Sequence, residues 1–136
     1  MTIKELSQLY YLNREIEADT RRLKEIQGKA YTLGSPALTG MPHSNNNESK
    51  VERYAAEIAD LIGIIDAKRL QCLHERNRLE RYISTIPDSL TRQIFQYRFV
   101  DGLPWQQVAA CIGDGYTAEA VRQTCSRYIR NNKHGK

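Results

Sequence analysis

Apolar side chains recur at helical spacing along most of the chain, and polar or glycine-rich breaks divide them into segments. In the first segment, steps of three and four residues with one break at Asp19 connect Leu9, Leu12, Ile16, Leu23, Ile26 and Ala30. This is the spacing of a coiled-coil seam, in which apolar residues return to one side of a helix. The pattern predicts a long amphipathic helix of about three heptads.

A second helix is predicted from a seven-residue repeat, which comprises Val51, Ile58, Ile65, Cys72, Leu79 and Ile86. Tyr54, Leu61 and Tyr82 occupy a second set of positions in this repeat, which Lys68 and Glu75 interrupt. Ile62 and Ile83 broaden the stripe. Residues 34–49 collect Gly, Pro, Ser and three consecutive Asn residues, which favour turns and predict a linker. Residues 1–86 are therefore expected to form an antiparallel helical hairpin that either docks on the rest of the chain or dimerises.

Three shorter helices are predicted in residues 87–131. Asp88 can cap the first, whose apolar positions are Leu90, Ile94, Tyr97 and Val100, and Gly102 can end it. Pro104 suits the first turn of the second helix, which carries Val108, Ala109 and Ile112 on one face. Gly113 then allows a sharp turn, and the small Ala109 allows the next helix to cross closely.

The last helix, predicted over 117–130, has two chemically distinct faces. Thr117 can cap it, and Val121, Cys125 and Tyr128, with Thr124 and Ile129, form the face predicted to point inward. The residues predicted to contact DNA are Thr117, Glu119, Arg122, Gln123, Ser126, Arg127 and Arg130. Cations, amides and hydroxyls are the groups that meet phosphates and base edges in a major groove, although an ordinary solvated face has a similar composition.

Residues 92–128, RQIFQYRFVDGLPWQQVAACIGDGYTAEAVRQTCSRY, resemble region four of sigma-70-type factors. The whole chain is also similar to phage and prophage regulators of Gram-positive bacteria, of the late transcriptional activator type. The segments that carry this second resemblance are SPALTGMPHS, ERNRLERYISTIPDSLTRQIFQYRF and LPWQQVA. The resemblance implies a transcriptional role in a phage setting, with RNA polymerase as a further candidate partner.

The chain departs from the region-four pattern at two places. Val121 follows Ala109 by twelve positions, whereas the compact module has about ten, so the turn is expected to be longer. Gln106 and Gln107 stand where sigma-type sequences usually carry an acidic residue.

Positive charge collects near the carboxyl end. The formal net charge is +4, and from Gly115 onwards the chain has five basic residues against one acidic residue. The predicted basic tail, 132–136, follows the recognition helix. If this charge meets DNA, binding should weaken steeply with salt, because each neutralised phosphate releases counterions.

Other function classes receive little support from the sequence. His43, His74 and His134 are scattered and lack zinc-site spacing, and no phosphate loop, dinucleotide fingerprint or nucleophile elbow is present. The chain is therefore expected to be no enzyme and to need no cofactor or metal. It lacks a hydrophobic signal core and a run of about 20 apolar residues, and its three cysteines are expected to be reduced and buried, so no membrane partner and a cytoplasmic location are expected.

The sequence thus predicts an all-α protein with an N-terminal coiled-coil-like hairpin and a C-terminal helix-turn-helix module. The expected function is sequence-specific recognition of double-stranded DNA in the transcriptional regulation of phage genes, with a homodimer formed through the hairpin. The alternative is a sigma-like adaptor that docks on RNA polymerase or another protein without reading DNA. A third interpretation is a structural phage scaffold, against which the break at Asp19 and the basic C-terminal end argue.

Overall fold

The computed structural model describes residues 1–34 and 45–133, and every regular element in these residues is helical. The first three helices are α1 (Ile3–Leu6), α2 (Gln8–Gly34) and α3 (Asn45–Ser84). The remaining ones are α4 (Ser89–Phe95) with a π-helical turn (Gln96–Val100), α5 (Trp105–Ile112) and α6 (Ala118–Asn131). The predicted all-α class is therefore confirmed. Among the described helices, none combines the length and apolar character needed to cross a membrane.

The chain forms two compact units, which the long helices α2 and α3 both enter. The first unit comprises Met1–Asn13 and Gln71–Lys136, and the second comprises Arg14–Leu70. The domain boundary predicted at 86–87 comes from the sequence pattern, whereas these units reflect contacts in the folded chain. That boundary stays a prediction. Residues 1–13 and 71–86, assigned to the hairpin by sequence, share a unit with the C-terminal helices.

In the second unit, α2 and α3 bury Ile26, Leu61 and Ile65. Two of the three residues that interrupt the apolar repeats, Asp19 and Lys68, form an ion pair with a Nζ–Oδ2 distance of 2.5 Å. A hydrogen bond from Lys68 to Asp19 raises the pKa of the lysine, because it favours the charged form. The opposite charges at these two breaks therefore neutralise each other.

Part of the predicted linker 34–49 is helical. α3 begins at Asn45, so the three asparagines belong to its first turn, whereas residues 35–44, with the SPALTGMPHS segment, lie outside the described residues. Asparagine lowers helix propensity by less than about 1 kcal/mol, which a long adjoining helix can offset. At the other end α3 stops at Ser84, so Ile86, the last residue of the predicted repeat, follows the helix, although it is fully buried.

A single apolar cluster holds the first unit together. Leu6 and Leu9 from the N-terminal helices and Leu79 and Ile83 from α3 pack with residues of the C-terminal helices. Phe95 is central, with ring centroids 5.3 Å from Phe99 and 5.4 Å and 6.4 Å from Tyr128 and Tyr82, respectively. Residues of 1–13 and 71–86 therefore pack with the C-terminal helices in one core, and a dimer through the hairpin stays a prediction.

The apolar positions predicted in the 89–100 segment are buried to different extents. Of the predicted positions Leu90, Ile94, Tyr97 and Val100, only Ile94 is fully buried, and the other three are partly buried against the same cluster. The other buried apolar residues are Phe95 and Phe99. The Asp101 N–H donates to the Gln96 carbonyl five residues earlier, which rotates the following residues relative to an α-helix. Phe99, four residues after Phe95, is buried with it, while Val100 is only partly buried.

Candidate nucleic-acid interface

Residues 102–117 form the turns that precede α5 and α6 and so set the orientation of α6. Gly102 has a φ of 71°, and the Leu103 N–H donates to the Tyr97 carbonyl, which ends the preceding helix as the sequence predicts. Pro104 is the N-cap of α5 rather than a residue of its first turn. Gly113, Asp114 and Gly115 all have positive φ, which makes the predicted long turn between α5 and α6.

Thr117 caps α6 as predicted. Its hydroxyl oxygen accepts a hydrogen bond of 3.1 Å from the Ala120 N–H. This bond satisfies one of the unpaired N–H groups that begin every helix. The oxygen of Thr117, proposed for DNA contact, is thus already used in holding the start of α6.

The two faces of α6 are separated as the amphipathic pattern predicts. Val121, Cys125 and Ile129 are buried, while Thr124 and Tyr128 are partly buried. Burial raises the pKa of the Cys125 thiol to about 12, so it stays protonated at neutral pH. The prediction of buried thiols is correct for Cys125 and wrong for Cys111, which is exposed on α5, whereas Cys72 is partly buried.

Five of the seven predicted contact residues line one shallow concavity of about 310 Å³ on the outside of α6. They are Arg122, Gln123, Ser126, Arg127 and Arg130. No acidic residue is among the described residues that line it. We call this surface the α6 basic face. Thr117 instead lines a neighbouring depression with Tyr116, at the start of the helix.

Glu119 lies beside the α6 basic face and forms an ion pair with Arg122, one of its three arginines. The Arg122 Nε donates to Glu119 Oε2 at 3.0 Å, and a second bond joins Arg122 Nη2 to Glu119 Oε1. Gln123 also donates to Glu119 Oε1 at 3.2 Å. The bonds from Arg122 lower the pKa of Glu119, and those same bonds raise the pKa of Arg122. In this state the charge of Arg122 is directed at a carboxylate of its own helix.

Arg98 and Trp105 form a contact that sequence reasoning missed. The guanidinium carbon of Arg98 lies 4.4 Å from the centre of the Trp105 ring, and Arg98 Nη1 donates to the Leu103 carbonyl at 3.0 Å. Trp105 is partly buried against the core, which agrees with the packing role predicted for it. The seven-residue separation of Arg98 and Trp105 carried no signal, because the chain turns between them.

Only part of the predicted tail and one of the three histidines lie within the described residues. Lys133 is exposed, whereas residues 134–136, which include His134, lie outside the described residues, as does His43. His74 is exposed on α3. In residues 1–34 and 45–133 there is no group of three or more His, Cys, Asp or Glu side chains placed to hold a metal ion.

In comparisons with known proteins, the chain matches no family model, no curated protein and no solved structure. The arrangement of α4 to α6 and the chemistry of the α6 basic face are therefore the grounds on which a function can be argued.

Proposed function

We propose that this chain is a sequence-specific double-stranded DNA-binding regulator of transcription in a phage or prophage. In this proposal residues 87–131 form a helix-turn-helix module, and residues 1–86 form the hairpin that supports it. The resemblance to sigma region four supports the link to transcription and the phage setting. The proposed partners, DNA and in addition RNA polymerase, place the protein in the bacterial cytoplasm.

The observation that carries the proposal is the α6 basic face. Three arginines, an amide and a hydroxyl share one exposed concavity, while the opposite side of the same helix is buried. A major groove about 12 Å wide admits an α-helix that presents such a face. Guanidinium groups suit phosphates and guanine, and an amide suits adenine.

The ion pair between Glu119 and Arg122 supports different proposed roles for the residues beside it. Arg127 and Arg130 can meet phosphates directly, whereas Arg122 must exchange Glu119 for a phosphate or a guanine. Released in this way, Glu119 can accept a hydrogen bond from a cytosine amine, and Gln123 can pair with adenine. The exchange provides a physical basis for reading sequence, because it is favourable only where the correct bases are present.

The first test uses a duplex selected from a random-sequence library by the wild-type protein. We expect the double variant Arg122→Ala and Arg130→Ala to bind this duplex at least about tenfold more weakly in gel shift. The slope of log affinity against log salt should also fall by about 0.9 for each phosphate that the variant no longer neutralises.

The matched control is Arg53→Ala with Arg81→Ala, which removes the same charge from exposed positions on α3. Equal loss of affinity in this control would mean that only net charge matters. Unchanged affinity of the α6 variant, with its helix content intact by circular dichroism, would refute the surface. Retention of RNA polymerase without salt-sensitive DNA binding would support the adaptor function instead.

A homodimer through the hairpin is part of the proposal. On α3, Val51 and Ile62 are exposed and eleven residues apart, which places them on one side of the helix with Ala55. A second copy of the chain would cover this stripe, and two-fold proteins suit repeated half-sites in DNA. We expect light scattering to give the mass of a dimer for the wild type and of a monomer for Ile62→Lys. A wild-type monomer at micromolar concentration would contradict the dimer.

A further inference from the structure

A second concavity, larger than the α6 basic face, lies within the first compact unit. It measures about 500 Å³ and is lined from the start of α2, from the π-helical turn, from the start of α5 and from α6. A volume of this size is typical of sites for small organic ligands, which range from about 300 to 1,000 Å³. We call it the aromatic cavity.

Aromatic rings form much of its wall. Tyr10 and Tyr11 stand at the start of α2 with ring centroids 5.4 Å apart in an edge-to-face arrangement. They are 43% and 60% exposed. Trp105 contributes a third ring from the start of α5. The cavity is therefore lined by partly exposed aromatic rings, against which a planar ligand can stack.

Two arginines contribute to the lining, and one of them, Arg122, is paired with Glu119, which does not line the cavity. Arg98 and Arg122 both line the cavity, and no acidic residue is among the described residues that line it. Arg98 is held in place by its contact with the Trp105 ring and by one hydrogen bond to the Leu103 carbonyl. A guanidinium has five N–H donors, so a fixed arginine with one bond to the protein can still donate to an anion. Ser126 adds a hydroxyl beside Arg122.

We propose that the aromatic cavity binds a small ligand that combines a planar aromatic ring with an anionic group, such as a mononucleotide or an aromatic carboxylate. The ring stacks against the tyrosines and Trp105, and the anionic group receives hydrogen bonds from Arg98 and from Arg122, which exchanges Glu119 for the ligand. A ligand needs both groups, because its ring contributes buried apolar surface and its anionic group fixes its orientation in the cavity.

The ligand regulates the DNA binding proposed above, and this consequence rests on that proposed function. Arg122 and Ser126 belong both to the aromatic cavity and to the α6 basic face. An arginine that donates to the ligand is withdrawn from the duplex, so the ligand weakens DNA binding. By linkage, DNA weakens ligand binding by the same factor.

Ligand binding is tested first without DNA. Isothermal titration calorimetry of the full chain uses adenosine monophosphate, guanosine monophosphate and salicylate as ligands. Adenosine, which lacks the anionic group, and inorganic phosphate, which lacks the ring, are the controls. Trp105 is the only tryptophan, so its fluorescence reports the cavity independently for the two nucleotides. We expect saturable binding of the nucleotides or of salicylate, with adenosine and phosphate at least about tenfold weaker. Whichever compound binds shows whether the cavity prefers a nucleotide or an aromatic carboxylate.

Two variants and two matched controls locate the site. Tyr11→Ala and Arg122→Ala remove lining groups that are exposed, so both variants should fold, and each should weaken binding about tenfold or more. Tyr31→Ala changes an exposed tyrosine farther along α2, and Arg81→Ala changes an exposed arginine of α3; neither residue lines the cavity, and both variants should bind as wild type.

No saturable binding of any aromatic anion up to low millimolar concentration would overturn the inference, as would equal affinity in all four variants. If the selected duplex binds and no aromatic anion does, the ligand proposal fails and the DNA proposal stands. If an aromatic anion binds and no duplex does, the reverse holds. When both bind, a saturating ligand should lower duplex affinity, and unchanged duplex affinity would refute the linkage.

Discussion

At the scale of single residues, ion pairs decide which charges are available to a partner. Lys68 and Asp19 neutralise each other within the second unit, with side chains about a quarter exposed. Arg122 is paired with Glu119 on the outside of α6, whereas no ion pair is present for Arg127 or Arg130 among the described residues. The number of cations on a face therefore overstates the charge that is free to meet a phosphate.

Removing the Glu119 carboxylate should release Arg122. We expect Glu119→Gln to bind a scrambled-sequence duplex several-fold more tightly at low salt, because one repulsive charge is removed and one cation is freed. Discrimination between the selected and the scrambled duplex should fall, since Glu119 no longer reads a base. Gel shift of both duplexes measures this, with Glu17→Gln, an exposed carboxylate on α2, as the control. Weaker binding of Glu119→Gln to the scrambled duplex would contradict this role.

At the scale of elements, caps and turns fix where the helices begin and end. Asp88 accepts hydrogen bonds from the N–H and the hydroxyl of Thr91, which lower the pKa of Asp88 and start α4. Arg92 donates to the carbonyls of Ile86 and Pro87 and closes the turn before that helix. The stabilisation by the Asp88 carboxylate is present above the ordinary aspartate pKa and is lost as the pH falls through the lowered value.

Glycines in turns and glycines in helices should respond to alanine with opposite signs. Gly113 has a φ of 76° and a ψ of −151°, a conformation that is essentially restricted to glycine, so Gly113→Ala should cost about 1–3 kcal/mol of unfolding free energy. Gly63 lies inside α3 with open space where a Cβ would be, so Gly63→Ala should stabilise by about 0.5–1 kcal/mol. Urea unfolding followed by circular dichroism measures both. A Gly113→Ala protein as stable as wild type would show that the turn tolerates another backbone conformation.

At the scale of the whole molecule, the ends of the described chain meet in one core. Leu6 is fully buried in the same cluster as Ile94 and Val121, more than eighty residues away along the sequence. The C-terminal helices consequently depend on N-terminal side chains for part of their burial. This explains why short helices such as α4 and α5 can be stable, since helices below about 12 residues rarely are by themselves.

Truncating Leu6 should therefore destabilise the C-terminal helices. We expect Leu6→Ala to lose about 2–5 kcal/mol of unfolding free energy, as for other large-to-small changes in a core. Urea unfolding monitored by Trp105 fluorescence follows the first unit directly. Ile3→Ala is the control, because Ile3 is in the same short helix and 56% exposed, and it should change stability by less than about 0.5 kcal/mol. Equal stability of both variants would exclude the N-terminal helices from this core.

Local sequence patterns were enough to predict the all-α class, the caps at Asp88 and Thr117, the turns at Gly102 and Gly113, and the two faces of α6. These features follow from backbone geometry and helical periodicity, which act between residues a few positions apart. The folded chain was needed to reveal the pairing of Asp19 with Lys68, the entry of Phe99 and Leu6 into the core, and the aromatic cavity. The ion pair, the burial of Leu6 and the cavity depend on contacts between distant residues, which leave no periodic signal in the sequence, and the extent to which Phe99 is buried depends on how its helix packs.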